Sequence, residues 1–564
     1  MKIRLFILSL ILICTNTAFA QYEGETFAID CSRGGFNNDL NADRLAPEAM
    51  VENTRNINLH KGGRSKRGGT FPTDPTPITG TPRIYGIYQF RLQNGNEFIV
   101  TATGDGKIQS DYSTEIKTGL TINQAVHFVT FNNLLIICTG NDLPEVWTGT
   151  GSTSALANTP TDWNTTLNYP RKMITHGRGA SLRLWAIGGA VDPFTVYASD
   201  LSAKDGSTEP DFSDANVITI YVDTEDGTGI VNAVEFGDRL MCSGKSRVYI
   251  IDDLDTLTAN WGYEKSQWEG GTANDRTMLV VANDVISMTD DGTIYSVVSA
   301  QNYGDYKKAT LTRDAFIDEW IRENIRLLSI DDFHAVYDPV LRCVYFFLFR
   351  QGQDNIDTAL CYFIDRVPTE AWVIKDNQAS DSGYKASASA LVRKAIGDNK
   401  VYTGGWDDGF VWELETTAQN DNGAAYAAGF KTPRFHLGNP RETKRFDTGW
   451  LITSAQGNYN LLVDIWVDGV FIAQETVSLA GVGSTYGGGG TYGVDAGAGV
   501  YGGSELIEVA FPIGVDGKRL ELHVFNNSVG EDFFVTLLMV DFLRLGNIVA
   551  TINNWLETIR RFVL

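Results

Sequence analysis

The chain has 564 residues, a formal net charge of −23 and an abundance of Gly (57) beside 29 Phe, 22 Tyr and 12 Trp. That charge argues against a protein whose main task is to grip nucleic acid, since neutralising phosphates takes Lys and Arg. The length argues against one ordinary hydrophobic core, which stops growing at about 250–300 residues, unless it grows by adding blades.

Residues 1–20 have the pattern of a secretory signal peptide. Lys2 and Arg4 form a basic start, Leu5 to Cys14 is apolar, and Ala18-Phe19-Ala20 offers a cleavage site before Gln21. The cysteines point elsewhere. Removal of the leader, with its Cys14, leaves Cys31, Cys138, Cys242, Cys343 and Cys361, an odd number that mostly sit in apolar strand-like runs and form no CxxC pair, which suits a chain that folds in reducing conditions.

Residues 21–83 read as an extended N-terminal docking arm. It holds Asp30-Cys31-Ser32-Arg33-Gly34-Gly35-Phe36-Asn37-Asn38, a short helix expected over 46–53, and a basic Gly-rich run from Lys61 to Gly69. In an acidic chain, Lys61, Arg64, Lys66 and Arg67 are candidates for contact with an acidic partner or DNA, or else a solvated loop.

From 84 to 418 short strands recur in sets, roughly every 40–55 residues, the signature of a β-propeller. The first hairpin turns at Gln93-Asn94-Gly95 and the second at Asn132-Asn133. An Asp-Gly turn leading into a strand appears three times, at Asp105-Gly106, Asp291-Gly292 and Asp408-Gly409, because such turns need positive φ. About six blades are expected, with strands over 391–414 closing the ring as a shared or seventh blade. Residues 200–228 read as an acidic loop, and Thr312 to Ile325 as an amphipathic helix.

Residues 419–546 read as a β-sandwich interrupted by a Gly-rich loop at 481–503, and 547–564 as a terminal amphipathic helix. The expected fold class is therefore all-β: a propeller, an appended C-terminal sandwich and a terminal helix. Its six histidines are not at metal-ligand spacing, and HExxH, GxSxG and a phosphate-binding loop are lacking. No catalytic residue, metal ligand or cofactor is nominated, and the chain is expected not to be an enzyme.

The order of these parts, with Gly62-Gly63-Arg64-Ser65-Lys66-Arg67-Gly68-Gly69, AVHFVTFNNLLIICTG (125–140), LRLWAIGGAVDPFTVYAS (182–199) and CYFIDRVPTEAWVIKD (361–376), resembles the nozzle or DNA-stabilisation structural proteins of short-tailed phage tails. The resemblance covers residues 27–470. It implies a virion component forming a ring with itself, a hexamer, below a tail adaptor protein, and contact with a host surface. DNA would pass through the acidic lumen without specific binding. The leader departs from that family, because virions assemble in the cytoplasm. The alternative is an exported, periplasmic or extracellular, propeller that binds glycan or protein. A polysaccharide-cleaving propeller is a third reading with no residue to nominate.

Overall fold

The computed structural model describes residues 24–38, 40–177, 182–201, 206–303, 309–376, 382–394, 397–480 and 506–545. The leader with its Ala20/Gln21 cleavage point, the Gly-rich stretch 481–503 and the terminal segment 547–564 lie outside them.

The chain is built almost entirely of strands. Four come from the N-terminal segment: β1 (Glu25–Asp30), β2 (Ile57–His60), β3 (Gly63–Lys66) and β4 (Gly69–Pro72). The next strands fall into seven consecutive sheets, here blades 1 to 7, whose first strands are Ile84–Arg91, His127–Phe131, Pro170–His176, Asn232–Phe236, Met278–Val281, His334–Asp338 and Ala386–Arg393. Each first strand touches the first strand of the next blade, and that of blade 7 touches that of blade 1, so the ring closes. These strands surround the axis, and their starting ends converge on one face, here the top face.

Closure uses the N-terminal segment. Blade 7 has three strands of its own, and β4 supplies the fourth by antiparallel pairing, Trp412 with Pro72 and Glu413 with Phe71. Pairing the two ends of the ring leaves no open seam in it. The count is thus seven, the last blade being the one shared between distant parts of the chain. Blade 5 has three strands, followed by helical segments in place of an outer strand.

The turns follow the local chemistry. Asn132 and Asn133 both have positive φ, +47° and +65°, as a two-residue hairpin turn requires. In the Asp-Gly turns, the Thr103 hydroxyl donates to Asp105 at 2.5 Å, and the Thr289 hydroxyl donates to Asp291. In the third copy Trp406 stands where the others have Thr, and Asp408 instead accepts from the Phe410 amide and the Trp412 indole. These turns join second to third strands and so lie on the top face.

Two helical expectations change. Thr312 to Ile325 is two short helices, Leu311–Asp314 and Asp318–Asn324, broken at Phe316, which adopts φ +56°. Residues 46–53 form turns instead of a helix. There Met50 bridges Phe36 and the Ala49 amide bonds back to Ala46. The acidic stretch 200–228 also contributes Ile218–Tyr221 as the outer strand of blade 3.

The sandwich stacks two sheets. One contains Lys444–Ser454, Leu506–Gly517 and Phe534–Arg544 together with β1, β2 and β3; the other contains Ala428–Lys431, Asn460–Val467, Val470–Ser478 and Leu520–Asn526. Strand alternation sets the inner face: Leu461, Val463, Ile465 and Val467 are buried between less buried neighbours. The N-terminal arm is therefore no free docking arm. It is folded into both bodies, and a single apolar core runs from the sandwich through β1 and β2 into blades 5 to 7. The five cysteines among the described residues are buried and form no disulfide. Among the described residues, no helix is long and apolar enough to cross a membrane.

Candidate functional site

The basic run was the one site the sequence offered. The structure places Arg64, Lys66 and Arg67 inside the molecule, at the junction of blade 7, β3 and the sandwich, and leaves only Lys61 exposed. Arg67 grips Asp421 with both arms, at 2.9 and 2.6 Å, while its Nε donates to Asn56 at 3.0 Å. Its guanidinium is flanked by Tyr426 at 3.8 Å and Tyr384 at 4.4 Å. Burial alone would lower the Arg67 pKa; the Asp421 carboxylate outweighs it and holds the charge firmly. Arg64 donates to the Arg33 and Glu48 carbonyls and lies over Phe430. Lys66 donates to Asn526 and Ser528, and burial brings its pKa down to about 8.

Beside them Lys375 donates to Glu415 at 2.5 Å, and Tyr384, Asn58 and the Gly68 amide donate to the same carboxylate. Burial would raise the Glu415 pKa; Lys375 and these donors bring it down to about 2. The glycines of the run let the backbones meet: a Cβ on Gly69 would lie 1.9 Å from the Asn420 carbonyl oxygen. The basic run is thus an internal latch, and the expectation of partner contact fails for Arg64, Lys66 and Arg67 because the chain's own carboxylates, carbonyls and rings surround them. Lys61 lines a separate cleft of about 360 Å³ with Arg342, Asp365 and Glu370.

A second polar cluster lies at the axis on the top face, and sequence reasoning missed it. Because the first strands all start there, residues far apart in sequence meet. His127 of blade 2 donates from Nε2 to Asp275, ahead of blade 5, at 2.8 Å; with two blades between them, the contact spans the axis. Lys172 of blade 3 donates to Asn232 of blade 4 at 2.6 Å and to the Asp275 carbonyl at 3.3 Å. Asn232 donates to the Asn274 carbonyl, and Asn274 in turn to the Ile330 and Phe333 carbonyls. Arg276 donates to the Ser387 and Asp331 carbonyls, and Ser387 donates to the Ile84 carbonyl at 2.6 Å. Arg83 pairs with Asp332 at 2.5 Å and lies over the Trp406 ring at 3.3 Å.

The protonation states follow. Burial lowers the His127 pKa in spite of Asp275, with Lys172 and Arg276 adding to the fall. Burial would raise Asp275, but His127, Arg276 and Arg171 hold it well below the carboxylate range. Burial brings Lys172 down to about 8. Burial and two arginines keep His334 neutral, so its Nε2–H faces the Ala386 carbonyl and its Nδ1 accepts from Ser389. Around the axis stand Arg83, Arg171, Lys172 and Arg276 against Asp275 and Asp332, with Asp331 exposed at the edge. The excess is positive, in a chain that is strongly negative. Exposed apolar side chains lie on the same face: Ile122 and Leu167 in connections between blades, Val191 in a turn, and Leu328, 97% exposed. The sequence signal was positional: Arg83, Arg171-Lys172 and Asp275-Arg276 lie at or just ahead of the start of a blade.

Among the described residues, no group of three or more His, Cys, Asp or Glu is arranged to hold a metal ion.

No protein family matches the chain, and no curated protein does. Among solved structures, it is similar to BBS1N in complex with ARL6DN, at 10% identity and TM-score 0.38, covering 62% of this chain and 98% of that one. It is also similar to an exo-β-1,3-galactanase from Phanerochaete chrysosporium, at 9% identity and TM-score 0.26, covering 83% of this chain and 99% of that one. Both are β-propeller folds, as is this chain. The second corrects one expectation: an enzyme stands among the similar structures, so the conclusion that the chain is not an enzyme does not hold. Fold likeness of this kind leaves function to the site.

Proposed function

We propose that the chain is a β-propeller binding module that receives a protein or glycan ligand on its top face, with the sandwich as a second body locked to the propeller. The observation that carries this reading is the positive axial cluster, open on the top face that also carries Ile122, Leu167, Val191 and Leu328. Large apolar side chains left exposed on the same face as a polar centre are what a recognition surface presents. The link from the propeller to the sandwich follows Thr416, at the opposite end of blade 7.

Peptide and oligosaccharide arrays probed with the whole chain test it. Ligands held by the native chain should be lost with Leu328→Asp or Ile122→Asp and kept with Lys61→Ala. The opposite pattern moves the ligand to the Lys61 cleft and overturns the proposal.

A second reading is a structural subunit of a short-tailed phage tail, ringed with its own copies below an adaptor. It is favoured by the interlock of N-terminal segment, propeller and sandwich, the order on which the resemblance rests. Native mass spectrometry decides: closed rings, alone or with an adaptor, support it, and a monomer at all concentrations removes it.

A further inference from the structure

The axial cluster holds more positive charge than its own carboxylates take up. The Asp275 carboxylate accepts from His127 at 2.8 Å, while the Arg171 Nε stays at 3.8 Å, beyond hydrogen-bond distance. The Arg171 side chain makes no hydrogen bond among the described residues and is 47% exposed. The Nε atoms of Arg276 and Arg83 are buried without a partner. A buried donor left unmatched costs free energy that a bound acceptor recovers. The groups facing this point from every side are Arg83, His127, Arg171, Lys172, Asp275, Arg276, Asp331, Asp332 and His334. Asp332 is taken by Arg83, and the two imidazoles are taken by Asp275 and by Ser389 and Ala386.

We infer that the axial end of the top face is an oxyanion site, in which Arg171, Lys172 and Arg276 receive a carboxylate or phosphate group of the ligand. The inference rests on the top-face reading and adds the chemistry of the anchor. The Arg171 guanidinium has a fork of donors suited to two oxygens, and Lys172 supplies a point charge beside it. Asp275, tied across the axis to His127, holds the cations in place at the floor of the site. The anchor enters from the top face, where Arg171 is open to solvent and the apolar side chains of that face make the rest of the contact.

Titration calorimetry on the whole chain tests this with succinate and with inorganic phosphate, each matched by sodium chloride of equal ionic strength. Saturable binding of either probe is expected, at least about tenfold weaker in Arg171→Ala and in Lys172→Met, and unchanged in Lys61→Ala. Tighter binding of succinate marks an acidic protein segment or a uronic sugar as the source, and tighter binding of phosphate marks a phosphorylated one. Heat that follows ionic strength alone, or binding that survives Arg171→Ala, overturns the inference. The two readings fail separately. Loss of array ligands in Leu328→Asp with no anion binding removes the oxyanion site and keeps the face. Anion binding with array ligands indifferent to Leu328→Asp removes the face.

Discussion

The molecule holds two clusters of arginine and lysine, and they have opposite fates. At the junction, Arg67 and Asp421 are both 0% exposed and joined by two hydrogen bonds, and Lys375 and Glu415 form a second sealed pair. Arg64 even has unmatched donors there, but it is enclosed on all sides, so no ligand reaches them. At the axis, donors are also unmatched, but Arg171 opens to solvent. Access, more than basicity, separates a latch from a binding site. A cation sealed in the core with its carboxylate is there to keep its geometry, while a cation at an open rim has room for a guest.

The sharpest way to break this comparison is to open the latch. Asp421→Ala leaves Arg67 charged and buried without its carboxylate, and should cost about 3–5 kcal/mol in chemical denaturation. The double change Arg67→Met with Asp421→Leu should cost markedly less than Asp421→Ala alone, because no charge is stranded. If Asp421→Ala costs under about 1 kcal/mol, the junction is not the latch described here. Next in size is Gly69→Ala, where the new methyl would meet the Asn420 carbonyl; about 1–3 kcal/mol should be lost as the strand that closes blade 7 is pushed aside.

Acid should act on the same junction. The folded pKa of Glu415 is about 2, below its ordinary 4.5, so its contribution is present above pH 4.5 and is lost as the pH falls toward 2. Glu415→Gln should lower stability at neutral pH, by stranding Lys375, and remove that part of the acid loss. Denaturation midpoints measured from pH 7 to pH 2 in both proteins show whether the slope differs.

These clusters also mark what the sequence can disclose. The propeller was legible because strand spacing and Asp-Gly turns are local, and so was the sandwich from its alternation. The seventh blade was half legible: the strands over 391–414 stood out, but β4 lies more than three hundred residues earlier, and nothing local ties Phe71 to Glu413. Arg64, Lys66 and Arg67 drew attention as charge among glycines. Yet those glycines, by admitting Asn420 and Glu415 so closely, are what allow the charges to be buried. The axial cluster was illegible because His127 and Asp275 are brought together by the closing of the ring alone. Its one trace was the recurrence of charged residues at blade starts.

The smallest expected effects lie at the axis. Lys172 has a folded pKa of about 8 against an ordinary 10.5, so between those values the unfolded chain holds the proton and the folded chain does not. Stability contributed by this group therefore rises with pH from 8 to 10.5, on the order of 1 kcal/mol once relaxation of the site is allowed for. Lys172→Met should remove that rise without unfolding the protein. Arg171→Ala should move stability by no more than about 0.5 kcal/mol at any pH, since its side chain is half exposed and its nearest carboxylate is too far for a hydrogen bond. An arginine whose removal costs the fold almost nothing, set beside one whose partner cannot be removed without large loss, is the contrast on which the two assignments depend. If Arg171→Ala proves as damaging as Asp421→Ala, the axis is a second latch and its charges belong to the fold.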